Sequence, residues 1–324
     1  MTPQRSPARP EPFKLGISEP VNTVLAIWMA EAAGLYAERG LAVEIVNMNG
    51  GSRGAAELAA GRIDAMHVGL SSVVRLNREG ADLRIVAALA NVIRFTFFSA
   101  PGVRDAAALK GGVVAVTTFG SESDTVATLA LRRLGLARDD VTVSEYGSGM
   151  RRIAALRSGE IQATALNEPF ASLARERGLH VLLDLVPERI AWLFTGIAVR
   201  RAALDTRRDL LTRFIQATAE GNCLARADGQ RACAVLATRA GIGDPDILAI
   251  GYGDFRELSP PDIAPTRAAA ENILAQFPAG GSANIADYVD FGILDDLKRQ
   301  GVFAELQQKY ADPQIANGSG TKWP

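Results

Sequence analysis

From Phe13 onward the chain alternates short apolar runs with longer amphipathic ones. FKLGI, LAVEIVNM, AMHVG and LRIVAAL have the length and β-branched content of strands, while VNTVLAIWMAEAAGLYAERG, SRGAAELAAG and LSSVVRLNREG carry the apolar period of helices. A second series repeats the order: VVAVT, VTVSEYG, QATAL and HVLLDL as strands, separated by SESDTVATLALRRLGL, MRRIAALRSG and PFASLARERG as helices. Such alternation predicts parallel α/β units. The two series also match in register. ELAAGRIDA at 57–65 overlies ALRSGEIQA at 155–163, with Leu58/Leu156, Gly61/Gly159, Ile63/Ile161 and Ala65/Ala163 identical. The same offset of 98 pairs Val43 with Val141, Arg53 with Arg151 and Gly80 with Gly178. A helix that stops at glycine before an apolar strand explains one glycine pair. It does not explain a gapless register, so the pattern predicts two duplicated α/β lobes.

Two β-rich runs, RFTFFSAP (94–101) and WLFTGIAVR (192–200), open no new helical unit and are expected to be crossover strands between the lobes. Lobe one is then 13–98 plus 196–324 and lobe two 99–195, with everything after about Arg201 helical. The first twelve residues, with four prolines, read as a disordered lead, and the tail NGSGTKWP as frayed. Two connections between lobes permit hinge closure over a cleft.

Composition narrows the function. The chain has 324 residues, 48% of them apolar and 22% charged, which is a globular balance. A net charge of -1 supplies no basic field for nucleic acid or an anionic membrane. No apolar run approaches the roughly 20 residues of a membrane-spanning helix. The two cysteines, Cys223 and Cys233, fit neither a zinc site nor a disulfide scaffold; whether they pair is open at this point. HExxH, CxxC and the P-loop are all missing, and of the two histidines His67 falls inside an apolar strand while His180 opens an edge strand. No catalytic residue, metal set or cofactor is expected.

In open parallel sheets ligands bind beyond the carboxyl ends of strands, where helix N-termini present free N–H groups. That rule selects Ser18, Glu19, Asn22, Gly51, Ser52, Arg53, Leu70 and Ser71 in lobe one. In lobe two it selects Thr118, Phe119, Gly120, Ser121, Tyr146, Arg151, Asn167 and Glu168. Serine and glycine at such turns also serve as ordinary caps. Arg53 and its counterpart Arg151 have the charge to anchor an anion. Glu19 and Glu168, each before a proline, have acceptors for an amine or hydroxyl.

The opening FKLGISEP, the helix AIWMAEAAGLYAERGLAVEIV, and the blocks ELAAGRIDAMHVG and ALRSGEIQATALNEPF resemble the alkanesulfonate-, taurine- and nitrate-binding family of ABC-importer solute receptors, which includes receptors for thiamine-pyrimidine precursors. The resemblance covers about residues 13–255. It implies a two-lobed type II periplasmic-binding fold, each lobe a mixed, mainly parallel sheet flanked by helices, with a helical C-terminal region. It also implies a periplasmic monomer that binds a small anionic or zwitterionic solute in the cleft and delivers it to a membrane permease. Asn167 stands where the family usually has an aromatic residue before the EP pair, and no secretory signal is visible, so a cytoplasmic location is the alternative. Enzymes resembling this fold give the alternative function, a decarboxylase, desulfinase or pyrimidine synthase. The desulfinase cysteine of the first loop is replaced here by Ser18-Glu19-Pro20, and the synthase cysteine cluster is missing beside His67.

Overall fold

The computed structural model describes residues 9–277, 281, 282 and 284–311. Lobe one contains strands β1 (Glu11–Ile17), β2 (Leu41–Asn47), β3 (Ala65–Val68) and β4 (Leu83–Val92). Its helices are α1 (Leu25–Ala32), α2 (Leu35–Glu38), α3 (Gly51–Ala59) and α4 (Leu70–Arg78). Lobe two follows with β5 (Thr96–Ser99), β6 (Val113–Val116), β7 (Thr142–Glu145), β8 (Ala163–Leu166) and β9 (His180–Asp184). Between them run α5 (Glu122–Arg133), α6 (Gly149–Ser158) and α7 (Phe170–Glu176). The chain returns through β10 (Ala191–Arg200) into a helical region, α8 (Arg201–Thr206) to α11 (Pro245–Leu258) by way of α9 (Arg208–Ala227) and α10 (Gly229–Ala240).

The two sheets have the same topology, β2-β1-β3-β10-β4 and β7-β6-β8-β5-β9. The first three strands of each are parallel. The fourth, β10 or β5, is antiparallel to both its neighbours. The repeat is visible in the elements: α3 and α6 begin at 51 and 149, and β3 and β8 occupy 65–68 and 163–166. Strands β3 and β8 are buried along their whole length, as strands covered on both faces require.

Three boundaries differ from the sequence expectation. The β-rich runs are themselves sheet strands, so the sheets divide the chain at 93–95 and 185–190 and not at 98/99 and 195/196. Strand β1 begins at Glu11, inside the expected lead, because its backbone pairs with β2 from that residue on. Residues 1–8 of that lead and the tail NGSGTKWP lie outside the described residues.

Helix α9 packs directly on α1, with Phe13, Phe214 and Tyr36 stacked beside it. The approach depends on Gly221, where a Cβ would come within 2.3 Å of the Ala26 carbonyl oxygen. This contact ties the helical region to lobe one.

Candidate functional site

The carboxyl ends of the two sheets face each other, and the N-termini of α3 and α4 meet those of α5 and α6. Hydrogen bonds cross directly between lobes. Ser52 donates to the Phe119 carbonyl at 2.7 Å, so the 2.7 Å contact with Thr118 has the threonine hydroxyl as donor. Ser72 donates to the Gly120 carbonyl at 3.2 Å. The Glu19 carboxylate accepts from the Gly149 N–H at 2.7 Å and from Arg152 at 3.0 Å. Arg152 is fully buried, and its other N–H groups donate to the carbonyls of Gly147 and Ala165.

Glu122, the first residue of α5, reaches from lobe two into lobe one. Its carboxylate accepts from the Ser71 N–H at 2.8 Å and from the Trp192 indole N–H at 2.9 Å. Gly69 makes room for it, since a Cβ there would lie 2.0 Å from the Glu122 Cγ. Burial pushes the Glu122 carboxyl up to about 7, against the smaller opposing effect of those two donors. His67 on β3 is wholly buried, and burial lowers its pKa to about 4, so the imidazole is neutral at neutral pH. One ring nitrogen, Nε2, lies 3.2 Å from the Thr23 hydroxyl, and Nδ1 has no partner.

Between these groups lies a cavity of about 50 Å³. Five of the sequence candidates line it: Ser18, Glu19, Gly51, Ser121 and Asn167. The remaining candidates do not. Ser52, Ser71, Thr118 and Gly120 make or support the bonds between lobes, and Leu70 is a core residue. Asn22 turns to α11, donating to the Gly251 carbonyl at 2.9 Å and to Asp254 at 2.6 Å. Glu168 accepts from the Ser172 N–H and from Arg175. Phe119 is exposed, and Tyr146 is half-buried, donating to Glu160.

Arg53 and Arg151 are both exposed. They recur because α3 and α6 repeat, and in each helix the position points to solvent; Arg151 stacks over Tyr146 at 5.5 Å. The expected arginine anchor is therefore absent from the cavity lining. The buried arginine is the next residue, Arg152, and it belongs to Glu19.

Sequence reasoning missed His67, Glu122 and Thr195 as lining residues, along with the aromatic wall of Phe95 and Phe194, whose rings meet edge-to-face at 5.0 Å. His67 fits a core reading because AMHVG is apolar on both sides. Glu122 is indistinguishable in sequence from a first-turn acid that complements the helix dipole. A more open recess of about 550 Å³ lies on lobe one alone, beside the end of α4, Ser282 and Asp287, and no facing loop contributes to it.

Among the described residues no group of three or more His, Cys, Asp or Glu could hold a metal ion, and no helix is long and apolar enough to cross a membrane. Cys223 and Cys233 are free thiols, half-buried on α9 and α10, and burial pushes the Cys223 thiol up to about 11.

The fold is shared with several solved structures. A protein of Bordetella bronchiseptica RB50 superposes with a TM-score of 0.78 at 22% identity, over 93% of this chain and 98% of that one. The alkanesulfonate-binding protein SsuA of Xanthomonas axonopodis pv. citri, bound to MOPS, gives 0.71 at 20% identity, over 83% and 91%. The periplasmic nitrate-binding protein NrtA of Synechocystis PCC 6803 gives 0.67 at 17% identity, over 95% and 91%. No curated protein matches the chain. The family model described as NMT1/THI5 like matches residues 22–232, more than half of the chain and all of lobe two. With its duplicated lobes and facing loops, the chain belongs to the NMT1/THI5-like family.

Proposed function

We propose that this protein is an extracytoplasmic solute receptor of an ABC importer, closing its lobes over a small organic ligand and passing it, as a monomer, to a membrane permease. The observation that carries this reading is one buried cavity lined from both lobes by polar groups, with Ser18, Gly51 and His67 on one side and Ser121, Glu122 and Asn167 on the other. A ligand held there adds contacts to both lobes at once, so binding and closure are the same event. The sulfonate- and nitrate-binding names of fold relatives support a transport role for the same architecture.

The test is a thermal-unfolding screen over sulfonates, nitrate, amines, pyrimidines, aromatic carboxylates and amino acids, followed by solution scattering. A ligand at 100 times its dissociation constant stabilises by about 2.7 kcal/mol. The expected outcome is a saturable rise in midpoint for at least one compound and no larger radius of gyration when it is bound. A library without a single saturable binder rejects the receptor.

A second reading is favoured by one observation: two groups with displaced pKa values, Glu122 and His67, line the same cavity, as in acid–base catalysis. Product exceeding one equivalent of protein, followed by mass spectrometry and lost in His67→Ala, would establish an enzyme on this fold.

A further inference from the structure

We propose that the cavity recognises a positively charged, hydrogen-bond-donating head, of the ammonium or amidinium class, with Glu122 as its acceptor. This rests on the receptor reading and adds the charge of the ligand to it.

Three observations carry the inference. First, two of the four helix N-termini that meet at the cleft are already occupied by the protein's own carboxylates. The Ser71 N–H at the start of α4 donates to Glu122, and the Gly149 N–H at the start of α6 donates to Glu19. A helix N-terminus favours negative charge, but these two have their anion built in. Second, Glu19 is balanced by buried Arg152, whereas Glu122 forms no ion pair among the described residues; its two partners are neutral N–H donors. Above pH 7, where Glu122 is mostly ionised, a sulfonate or nitrate entering the cavity would lie beside an uncompensated carboxylate, a like-charge contact in a desolvated setting. Third, Glu122 retains acceptor capacity. Each Glu122 oxygen has one lone pair beyond the bond it already accepts, a spacing that matches two N–H groups of a planar amidinium. His67 Nδ1 and the Thr195 hydroxyl, both on lining residues, also lack partners.

The other charged groups around Glu122 do not replace the missing cation. His67 on β3 is neutral, Arg75 on α4 pairs with Glu79 at 2.8 Å, and Asp124 on α5 pairs with Arg138 at 2.6 Å. Size sets a further condition. The closed cavity holds about 50 Å³, against roughly 300 Å³ or more for drug-sized ligands, so the head must be small or the lobes must part further for what is attached to it.

The probes are acetamidinium, methylammonium and guanidinium chlorides against sodium nitrate and sodium methanesulfonate, at matched ionic strength, read by calorimetry and thermal unfolding on the full chain. At least one cation is expected to bind saturably, more tightly at pH 8 than at pH 6, with neither anion exceeding chloride. Glu122→Gln should weaken that cation at least tenfold, while Arg53→Ala and Arg151→Ala change it less than threefold. The wild-type comparison of cations with anions stands even if Glu122→Gln misfolds. Saturable binding of nitrate or methanesulfonate without any cation overturns the charge assignment and leaves the receptor intact. Absence of cation binding overturns it as well, and the receptor itself falls only if the wider compound screen is also blank.

Discussion

Two buried residues, Glu122 and His67, titrate in opposite senses, and together they make stability depend on pH. The Glu122 carboxyl has an ordinary value of 4.5 and about 7 in the fold, so the folded state holds its proton more tightly. Its contribution is complete below about 4.5 and is lost as pH rises through 7. His67 goes from 6.5 to about 4, so its contribution is complete above 6.5 and lost as pH falls towards 4. Glu122→Gln removes the first slope and keeps an oxygen for one of the two donors, Ser71 or Trp192, leaving the other opposite the amide NH2. In urea unfolding between pH 5 and pH 8, wild type should lose stability relative to this variant, by on the order of 3 kcal/mol across the window. Parallel pH profiles for the two proteins would show that Glu122 is not desolvated as described. None of this is legible in the sequence. Arg53 and Arg151 attracted the functional reading because their charge and recurrence are visible, yet exposure decides their role. Exposure depends on which face of α3 and α6 meets the sheet. Glu122 and Arg152, which the fold does bury, differ from exposed neighbours only by where the helix phase places them.

At the scale of elements the sequence is far more informative, because hydrophobic period and glycine stops are local. The starts of α3 and α6 and the spans of β3 and β8 follow the 98-residue offset read from LxxGxIxA. The antiparallel fourth strands read from sequence as β-rich crossovers, but which sheet receives a strand is a long-range choice. How the helix N-termini meet is also long-range, and it depends on Gly69 at the entry to α4. Its φ of -79° suits any residue, so the constraint is space alone. Gly69→Ala is expected to displace the Glu122 side chain from the Ser71 and Trp192 N–H groups, lowering stability by roughly 1–3 kcal/mol. The Ser71 amide and the Trp192 indole should lose hydrogen-exchange protection while amides of β3 retain theirs. Unchanged protection at Ser71 would mean that the loop yields and the contact between lobes survives.

For the whole molecule, the sheets are alike in topology but unlike in how the chain supplies them. All five strands of the second sheet lie between Thr96 and Asp184, whereas the first sheet has β10, from 191–200, inserted between β3 and β4. During synthesis the second-made lobe is therefore the first that can be finished. Lobe one, although translated first, waits with β3 and β4 unjoined and their apolar faces uncovered until residue 200 and then α9 have left the ribosome. A fragment of residues 95–186 should fold cooperatively by circular dichroism, and one of residues 9–92 should not; the reverse result would rule out this order. The interval between them, with the apolar faces of lobe one uncovered, is set by the length of lobe two.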